Sequence, residues 1–295
     1  METRWEGKSK GTVLGYKIFI WLLRTFGVRA AYALLYFVAL YYCFFSIKST
    51  KAVFYYLRHR QKFSFWKSII CVYKNYLVFG KTIIDKVAIS SGMRDAFTYE
   101  FDGIENIKKL LQEKKGGVLL SAHVGNFEIA EVFFREIDNL SQINLVATDS
   151  EREDIKVYLE SVGSVSKNKF ITIKEDLSHI FEINNALSNG ELVCLTGDRY
   201  YQGSKYLTEA LLGQPAHFPA GPFKLASRLR SPVLFVYVMK ETNKHYHLYA
   251  RTATVKNRDA QGLLQKYVQS VEAMLQKYPL QWFNYFDFWE TNESQ

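Results

Sequence analysis

A histidine and a glutamate stand five residues apart in residues 121–128, which read SAHVGNFE. His123 can act as a general base, because an imidazole titrates close to neutral pH. The carboxylate of Glu128 can accept a hydrogen bond from one ring nitrogen, which fixes the tautomer and raises the basicity of the other nitrogen. Such a pair removes a proton from a hydroxyl group, although a single histidine is more often structural than catalytic.

The elements around the pair decide whether the two side chains can meet. Residues 117–121 (GVLLS) are a short apolar run that predicts a buried strand, and a helical pattern begins near Asn126. On one continuous helix, side chains five apart point about 140° away from each other. A strand that ends before His123 and a turn at Gly125 allow them to converge. His123 then lies at the carboxyl end of a strand, where α/β sheets form their sites.

Apolar runs alternate with helix-like segments after residue 96. We predict strands at 117–121, 143–148, 170–173, 192–196, 232–239 and 246–255, with the last at a sheet edge, and helices at 127–137, 153–162, 177–188, 221–228 and 262–278. This order predicts an α/β fold over residues 96–295, in which helices flank a mixed, largely parallel sheet.

Residues 1–95 differ in composition and predict a membrane-associated helical region. They hold 16 Lys and Arg against 4 Asp and Glu, whereas residues 96–295 hold 22 against 25. Residues 30–47 carry no charge, which is near the lower limit for spanning a bilayer, and they are rich in tyrosine, which prefers the interface. A spanning helix, a helix that lies in one leaflet and a buried helix of a soluble core all remain open.

An apolar stripe follows within residues 53–91, which read as helices. The side chains that recur at helical spacing are Phe65, Trp66, Ile69, Ile70 and Tyr73. Such a stripe is usually packed in a core, and we expect it to be buried.

Several classes of function are disfavoured by the sequence. Cys43, Cys71 and Cys194 are widely spaced and form no metal or disulfide pattern. His245 and His247 alternate on one predicted strand without a third ligand nearby in the sequence, so we expect no metal site. No nucleic-acid motif accompanies the basic residues, and we expect no nucleic-acid partner.

Residues 121–128 resemble the H-x4-D/E motif of the lysophospholipid acyltransferase superfamily and, more narrowly, the late acyltransferases of lipid A biosynthesis. Three further blocks agree in their order along the chain: residues 197–203 (GDRYYQG), 217–228 (HFPAGPFKLASR) and 279–282 (PLQW). The resemblance covers nearly the whole chain. Glu128 in place of an aspartate, and the lack of a Glu-Gly-Thr-Arg block, favour the lipid A branch.

The resemblance implies an acyltransferase of the EC 2.3.1 type at the cytoplasmic face of the inner membrane. A fatty acyl chain moves from an acyl-carrier-protein or coenzyme A thioester to a hydroxyl of a membrane lipid, such as a lipid A precursor. We expect no cofactor, and no covalent acyl-enzyme is needed because the thioester is already activated. A membrane-associated hydrolase of acyl thioesters or lipid esters, an acceptor other than lipid A, and a non-catalytic membrane module are the alternatives.

The resemblance also suggests which other residues form the site. We assign substrate contacts to Asn126, Arg152, Asp198, Arg199 and Gly221. Lys224, Arg228 and Arg230 form a basic cluster that suits an acidic carrier protein, although a solvated face commonly explains such a run.

The chain departs from the family pattern at two places. Arg199 stands where the family has glutamine after Asp198, and Asp287 stands in the closing segment where arginines are usual. Both departures leave the acceptor open, because lipid A is phosphorylated and is expected to meet cations.

Overall fold

A seven-stranded sheet lies at the centre of the protein, in a computed structural model that describes residues 13–130, 132, 142–147, 169–174, 176–200, 203–229 and 231–289. Its strands are β1 (Thr98–Asp102), β2 (Gly117–Ser121), β3 (Ile143–Ala147), β4 (Lys169–Thr172), β5 (Leu192–Thr196), β8 (Val233–Lys240) and β9 (His245–Ala253). The spatial order is β1-β9-β8-β2-β5-β3-β4. The last five strands in this order run parallel, whereas β9 and β1 run the opposite way. The predicted mixed, largely parallel α/β sheet is therefore confirmed.

The continuous apolar runs of β2 and β8 follow from their central position. Every residue of both strands is buried, because helices cover the sheet on both faces. The side chains of Leu119 and Val238, for example, are at most 2% exposed.

One strand lies at a different place in the sheet from the one predicted, and three strands were not predicted. The prediction that β9 is an edge strand is wrong, because β1 pairs along its outer side with Thr98 opposite His245. β1 is short and polar at alternate positions, so its apolar signal is weak. A separate hairpin of β6 (Tyr206–Leu211) and β7 (Gln214–Pro219) was also not predicted, and two prolines in β7 obscure its strand pattern.

Seven α-helices are present in the described part of the chain. They are α1 (Val13–Phe45), α2 (Ile47–Tyr55), α3 (Phe65–Ser90), α4 (Ile104–Glu113), α5 (Ser178–Ser188), α6 (Ala220–Arg228) and α7 (Ala260–Lys277). The first of these, α1, is kinked at Gly27, which has φ 77. The predictions at 177–188, 221–228 and 262–278 are confirmed within two residues at each end. The predicted helix at 127–137 begins as a 3-10 turn (Phe127–Ile129). Most of its remainder, and all of the predicted helix at 153–162, lie outside the described residues.

The helices α1 and α3 pack against each other in antiparallel directions. Tyr32 meets Asp85 near one end of the pair, and the rings of Tyr42 and Tyr76 stack near the other, with their centroids 6.4 Å apart. Among the described residues, one helix, Ile20–Phe45 within α1, is long and apolar enough to cross a membrane. Only 28% of its most apolar window is buried, which is low for the core helix of a soluble protein.

The prediction that the apolar stripe of α3 is buried is wrong. Phe65, Trp66, Ile69 and Ile70 are all exposed, and Trp66 reaches 73%. The helix instead buries its other face, which includes polar Asn75. Helical spacing identifies a shared face of a helix, but it does not show whether a neighbouring element covers that face.

A buried polar cluster ties α1 and α3 to the sheet. The carboxylate of Asp85 accepts hydrogen bonds from the hydroxyls of Tyr32 and Tyr246 and pairs with the ammonium of Lys240. Lys240 also donates to the carbonyl oxygen of Asn243 at 2.7 Å. Burial raises the pKa of Asp85 and lowers that of Lys240, while their mutual attraction opposes both shifts. The cluster thus links four elements at one buried point.

Candidate active site

The carboxyl ends of the neighbouring strands β2 and β5 bring two polar side chains together. Ser121 lies opposite Thr196 in the parallel register of these strands, and the amide of Gly197 donates to the carbonyl oxygen of Ser121 at 3.0 Å. His123 and Asp198 each follow two residues beyond these ends, and they therefore meet at the edge of the sheet where α/β folds form their sites.

Asp198 holds His123 at two points. One carboxylate oxygen lies 2.8 Å from Nδ1 of the imidazole, and the other accepts the backbone N–H of His123 at 2.9 Å. The Asp198 side chain is 4% exposed and that of His123 is 27% exposed. A carboxylate on Nδ1 requires the proton there and leaves Nε2 as the basic nitrogen. None of the described residues hydrogen-bonds to Nε2 of His123.

The environment of Asp198 favours its ionised form. Burial alone raises the pKa of this carboxyl group, but the charges of His123 and Arg199 and the hydrogen bonds from His123 together outweigh it. The pKa of Asp198 therefore lies below its ordinary value, and the group is a carboxylate at neutral pH. Tyr267 and Tyr237 lie close enough to Asp198 to feel its charge. Burial raises the pKa of Tyr267, and the charge of Asp198 raises it further.

We expect the Asp198 contact to stabilise the fold in a pH-dependent way. Because the folded-state pKa is lower than the unfolded-state pKa, the stabilisation is fully present above about pH 5 and is lost as the pH falls through the folded-state value. Urea unfolding between about pH 6 and about pH 3 should therefore show the free-energy gap between wild type and Asp198→Asn narrowing on acidification. A gap that stays constant over this range would contradict the assignment.

The contact of Asp198 with His123 is a second candidate pairing beside the predicted pair of His123 and Glu128. The sequence predicts the orienting role for Glu128 and a substrate contact for Asp198. Glu128 lies in the 3-10 turn after His123, but its side chain is outside what the structure describes, so its role stays a prediction. The carboxylate found on Nδ1 belongs to Asp198, which is 75 residues away in the chain.

The loop that carries His123 is held by the end of the chain and by β8. The carbonyl oxygen of His123 accepts the amide of Phe283 at 3.0 Å, and the amide of Gly125 donates to the carbonyl oxygen of Gln281 at 2.8 Å. The amide of Asn126 donates to the carbonyl oxygen of Val238 at 2.7 Å. The 279–282 block therefore acts as a brace for the histidine loop. The sequence analysis had singled out that block without assigning it a contact.

Asn126 is buried beneath this loop. Its side-chain amide donates to the carbonyl oxygen of Thr82 in α3 at 3.0 Å. The contacts that the structure describes give Asn126 a bracing role between the loop and α3, and its predicted contact with substrate stays a prediction.

We expect Gly125→Ala to lower both stability and activity by more than the left-handed backbone angle of Gly125 alone would cause. Gly125 has φ +70, and an added Cβ would overlap the carbonyl oxygen of Val238 and lie 2.8 Å from Sδ of Met239. Gly213 is a matched control, because it has φ +78 with nothing within 4 Å of an added Cβ.

The left-handed angle by itself costs about 1–2 kcal/mol, which is the loss we expect for Gly213→Ala. Gly125→Ala should lose more unfolding free energy in urea titrations and most of its activity. Equal losses in the two variants would show that the close approach to β8 is not important.

Arg199 lies between Asp198 and the closing segment. Its guanidinium donates to the carbonyl oxygen of Phe283 at 3.1 Å, and its charge lowers the pKa of Asp198. A cation therefore stands at the closing segment even though Asp287 replaces the arginines expected there.

The start of α6 lies beside the end of β5. An added Cβ at Gly197 would lie 2.8 Å from the ring of Phe223 in α6, so the helix approaches the backbone next to Asp198. Gly221, in the first turn of α6, is exposed with open space around it. Lys224 and Arg228 are exposed one turn apart on the same helix. Arg152 and Arg230, which were predicted to contact substrate and carrier protein, lie outside the described residues.

His245 and His247 have carboxylate neighbours that the sequence analysis did not find. Nδ1 of His247 lies 2.8 Å from Glu100 of β1 and 3.4 Å from Glu241, which follows β8. Glu100, Glu241 and His247 each offer one ligand-type atom, and these three atoms lie within 4.8 Å of one another. These carboxylates come from other strands, so spacing along β9 could not reveal them. Glu100, Glu241 and His247 are close enough together to hold a metal ion, and their contacts are also those of an ion-pair cluster.

A comparison with known protein families identifies the chain. Residues 66–291, well over half of the protein, match the family model described as bacterial lipid A biosynthesis acyltransferase. No curated protein matches the chain.

Proposed function

Because the chain belongs to the bacterial lipid A biosynthesis acyltransferase family, we propose that His123 is the general base of an acyl transfer from a thioester to a lipid hydroxyl. The family implies acyltransferase activity and transfer to lipid. The donor is proposed to be an acyl carrier protein or coenzyme A thioester. The acceptor is proposed to be a lipid A precursor or a related membrane lipid.

The single observation that carries this proposal is the contact between Nδ1 of His123 and Asp198 at 2.8 Å. With Nδ1 protonated, Nε2 takes the proton of the acceptor hydroxyl while the oxygen attacks the thioester carbonyl carbon. The C–O bond forms, the C–S bond breaks, and the proton on Nε2 passes to the departing thiolate. The products are an ester and a free thiol, and no covalent acyl-enzyme is needed.

A serine nucleophile is disfavoured by the contacts of the hydroxyl nearest in sequence. Ser121 is 1% exposed, and its hydroxyl donates to the carbonyl oxygen of Val236 at 2.8 Å. It cannot reach a substrate without losing this bond. Hydrolysis by the same site would therefore require water in place of the lipid hydroxyl.

The remaining groups of the proposed site support the transition state and the substrates. Glu128 remains a second candidate for orienting His123, on the strength of the family motif. An oxyanion needs hydrogen-bond donors, and removal of one such donor typically slows a reaction about 10²–10³-fold. We propose Arg199 for this role or for contact with an acceptor phosphate, because its guanidinium lies beside the catalytic pair.

The carrier protein is proposed to dock on α6. Lys224 and Arg228 are exposed on one face of this helix, and the helix approaches the end of β5 through Phe223. An acidic carrier bound there would present its thioester near His123. Arg230 is proposed to belong to the same cluster. The protein is proposed to act at the cytoplasmic face of the inner membrane.

Lipid mass spectrometry of cells that carry or lack the gene tests this function. We expect a lipid that lacks one acyl chain to accumulate without the gene, and wild-type protein to restore the missing chain. Cells complemented with His123→Ala serve as the matched control and should resemble the deletion. An unchanged lipid profile in the deletion would overturn the proposal, and an increase in free fatty acid with the wild-type gene would favour a hydrolase.

A further inference from the structure

Two carboxylates and an imidazole converge where β1, β9 and the end of β8 meet. His247 of β9 lies opposite Glu100 in the parallel register of β9 with β1, and its Nδ1 is 2.8 Å from Oε1 of Glu100. Glu241 directly follows β8, which pairs with β9, and its Oε1 lies 3.4 Å from the same nitrogen. Three side chains of metal-ligating types therefore come together from three segments of the chain.

The expectation of no metal site rested on the two histidines of β9 alone. Glu100 comes from a strand that was not predicted, and the pairing of β8 with β9 brings Glu241 to His247. Nδ1 of His245 is 2.8 Å from the hydroxyl of Thr98, whereas Nδ1 of His247 lies beside both carboxylates. The candidate ligands are thus one histidine and two glutamates, and not the pair of histidines.

The distances within this group fit a small divalent cation. Zn²⁺ binds nitrogen and oxygen ligands at about 2.0–2.2 Å, so two ligand atoms of a tetrahedral ion lie about 3.4 Å apart. Nδ1 of His247 and Oε1 of Glu241 have this separation. The contact of His247 with Glu100 is shorter, because it has the length of a hydrogen bond. The Glu100 side chain is 54% exposed and can withdraw by about 0.6 Å when an ion replaces the shared proton.

Neighbouring tyrosines orient two of the three ligands. The ring of Tyr249 stacks on that of His247, with the centroids 4.2 Å apart and the planes 8° apart. The hydroxyl of Tyr278 donates to Oε1 of Glu241 and lies 2.7 Å from the hydroxyl of Tyr249. A carboxylate oxygen accepts more than one contact, so Oε1 of Glu241 can also bind an ion. Such supporting contacts typically change metal affinity about 10–100-fold.

The charge and exposure of the group suit a dication that arrives from solvent. The two carboxylates supply two negative charges, and the side chains of Glu241 and His247 are 31% and 16% exposed. The ammonium of Lys277, whose charge also acts on Glu241, donates to the hydroxyl of Tyr249. An imidazole ligand favours zinc and similar transition metals, whereas Mg²⁺ and Ca²⁺ prefer oxygen ligands alone.

We propose that Glu100, Glu241 and His247 bind a divalent transition-metal cation such as Zn²⁺, with water as the fourth ligand. The bound ion joins β1 and β9 to the end of β8 and stabilises this part of the sheet. It is a structural ion, and it takes no part in the proposed acyl transfer. The inference therefore does not rest on the proposed function, and its tests measure metal binding and stability.

The ion also stabilises a strand end that supports the histidine loop. Lys240, the residue before Glu241, donates its amide to the side chain of Gln281 at 2.9 Å, and its carbonyl oxygen accepts the side-chain amide of Gln281 at 2.6 Å. The carbonyl oxygen of Gln281 in turn accepts the amide of Gly125. The proposed metal site thus lies at one end of the contacts that brace the loop.

Calorimetric titration of the full-length protein in detergent, without an affinity tag, tests the site. Bound metal is removed with EDTA, the EDTA is removed by dialysis, and ZnCl₂ or MgCl₂ is titrated into the protein. We expect one Zn²⁺ to bind per chain, and Mg²⁺ to bind at least about 100-fold more weakly. Wild-type protein that does not bind Zn²⁺, or binds Mg²⁺ equally well, would overturn the proposal.

Variants of the ligands locate the bound ion. Glu100→Gln and His247→Ala should each weaken Zn²⁺ binding about 100-fold or more, because loss of a ligand costs more than loss of a supporting contact. His123→Ala is the matched control, since it removes another imidazole that lies beside a carboxylate, and it should bind Zn²⁺ like wild type. Zn²⁺ should raise the unfolding temperature of wild type and control but not that of the ligand variants. Wild-type affinity in both ligand variants, or an equal loss in the control, would contradict the assignment.

Discussion

His123→Ala is expected to abolish acyl transfer while the protein stays folded and bound to membranes. General-base catalysis typically contributes about 10²–10⁴-fold to a rate, and Nε2 of His123 is the basic nitrogen that the Asp198 contact leaves available. Turnover is measured as free thiol released from the acyl thioester donor in the presence of acceptor lipid. The expected loss lies at the upper end of this range, because no other base is proposed for the reaction.

The control for this variant is another histidine of the same chain. His179→Ala removes an imidazole that accepts the backbone amide of Lys174 at 3.2 Å, far from β2 in sequence. We expect its turnover to be that of wild type. Retention of wild-type turnover by His123→Ala would rule out the proposed base. A loss in both variants would point to a general sensitivity of the fold.

Asp198→Asn is expected to lower kcat by about 10²–10⁴-fold with little change in KM. The buried carboxylate requires the proton of His123 to be on Nδ1, and an asparagine amide can donate to Nδ1 and favour the wrong tautomer. A residue that acts through His123 affects the chemical step. A residue that contacts substrate, as the sequence analysis predicted for Asp198, would raise KM when it is replaced.

Glu128→Gln is the matched comparison for Asp198→Asn. Each change replaces a carboxylate by an amide of the same shape. Glu128 belongs to the family motif, and Asp198 contacts Nδ1 of His123. We expect the larger loss of kcat in Asp198→Asn. A near wild-type Asp198→Asn together with an inactive Glu128→Gln would return the orienting role to Glu128.

The partners of His123 show how far the sequence could predict the site. The apolar run at 117–121 placed His123 correctly after a strand, because a buried central strand is apolar at every position. Its contact with Asp198 depends on β5 lying next to β2, whereas β3 and β4 intervene in the sequence. Spacing along the chain does not specify the order of parallel strands, so the sequence alone predicts only the nearer carboxylate, Glu128, as the partner of His123.

The role of α3 was also not evident from the sequence. The sequence of its apolar stripe does not reveal whether another part of the protein or a membrane covers the stripe. The contacts of Asn75 and Asp85 show which side of α3 faces the rest of the protein. The bond from Asn126 to the carbonyl oxygen of Thr82 crosses the predicted boundary at residue 95, and the family match begins at residue 66. The predicted domain boundary at residue 95 remains a prediction. Nearly all of α3 lies within the residues that match the family model.

The fate of the acyl group in the purified reaction tests the central claim most directly. Wild-type protein is given an acyl thioester and a lipid A precursor, and acylated lipid, free fatty acid and free thiol are measured by mass spectrometry in the same sample. We predict equal amounts of acylated lipid and free thiol with wild type, and neither product with His123→Ala. Free thiol matched by fatty acid, without acylated lipid, would contradict acyl transfer, and acylated lipid formed by His123→Ala would contradict the proposed base.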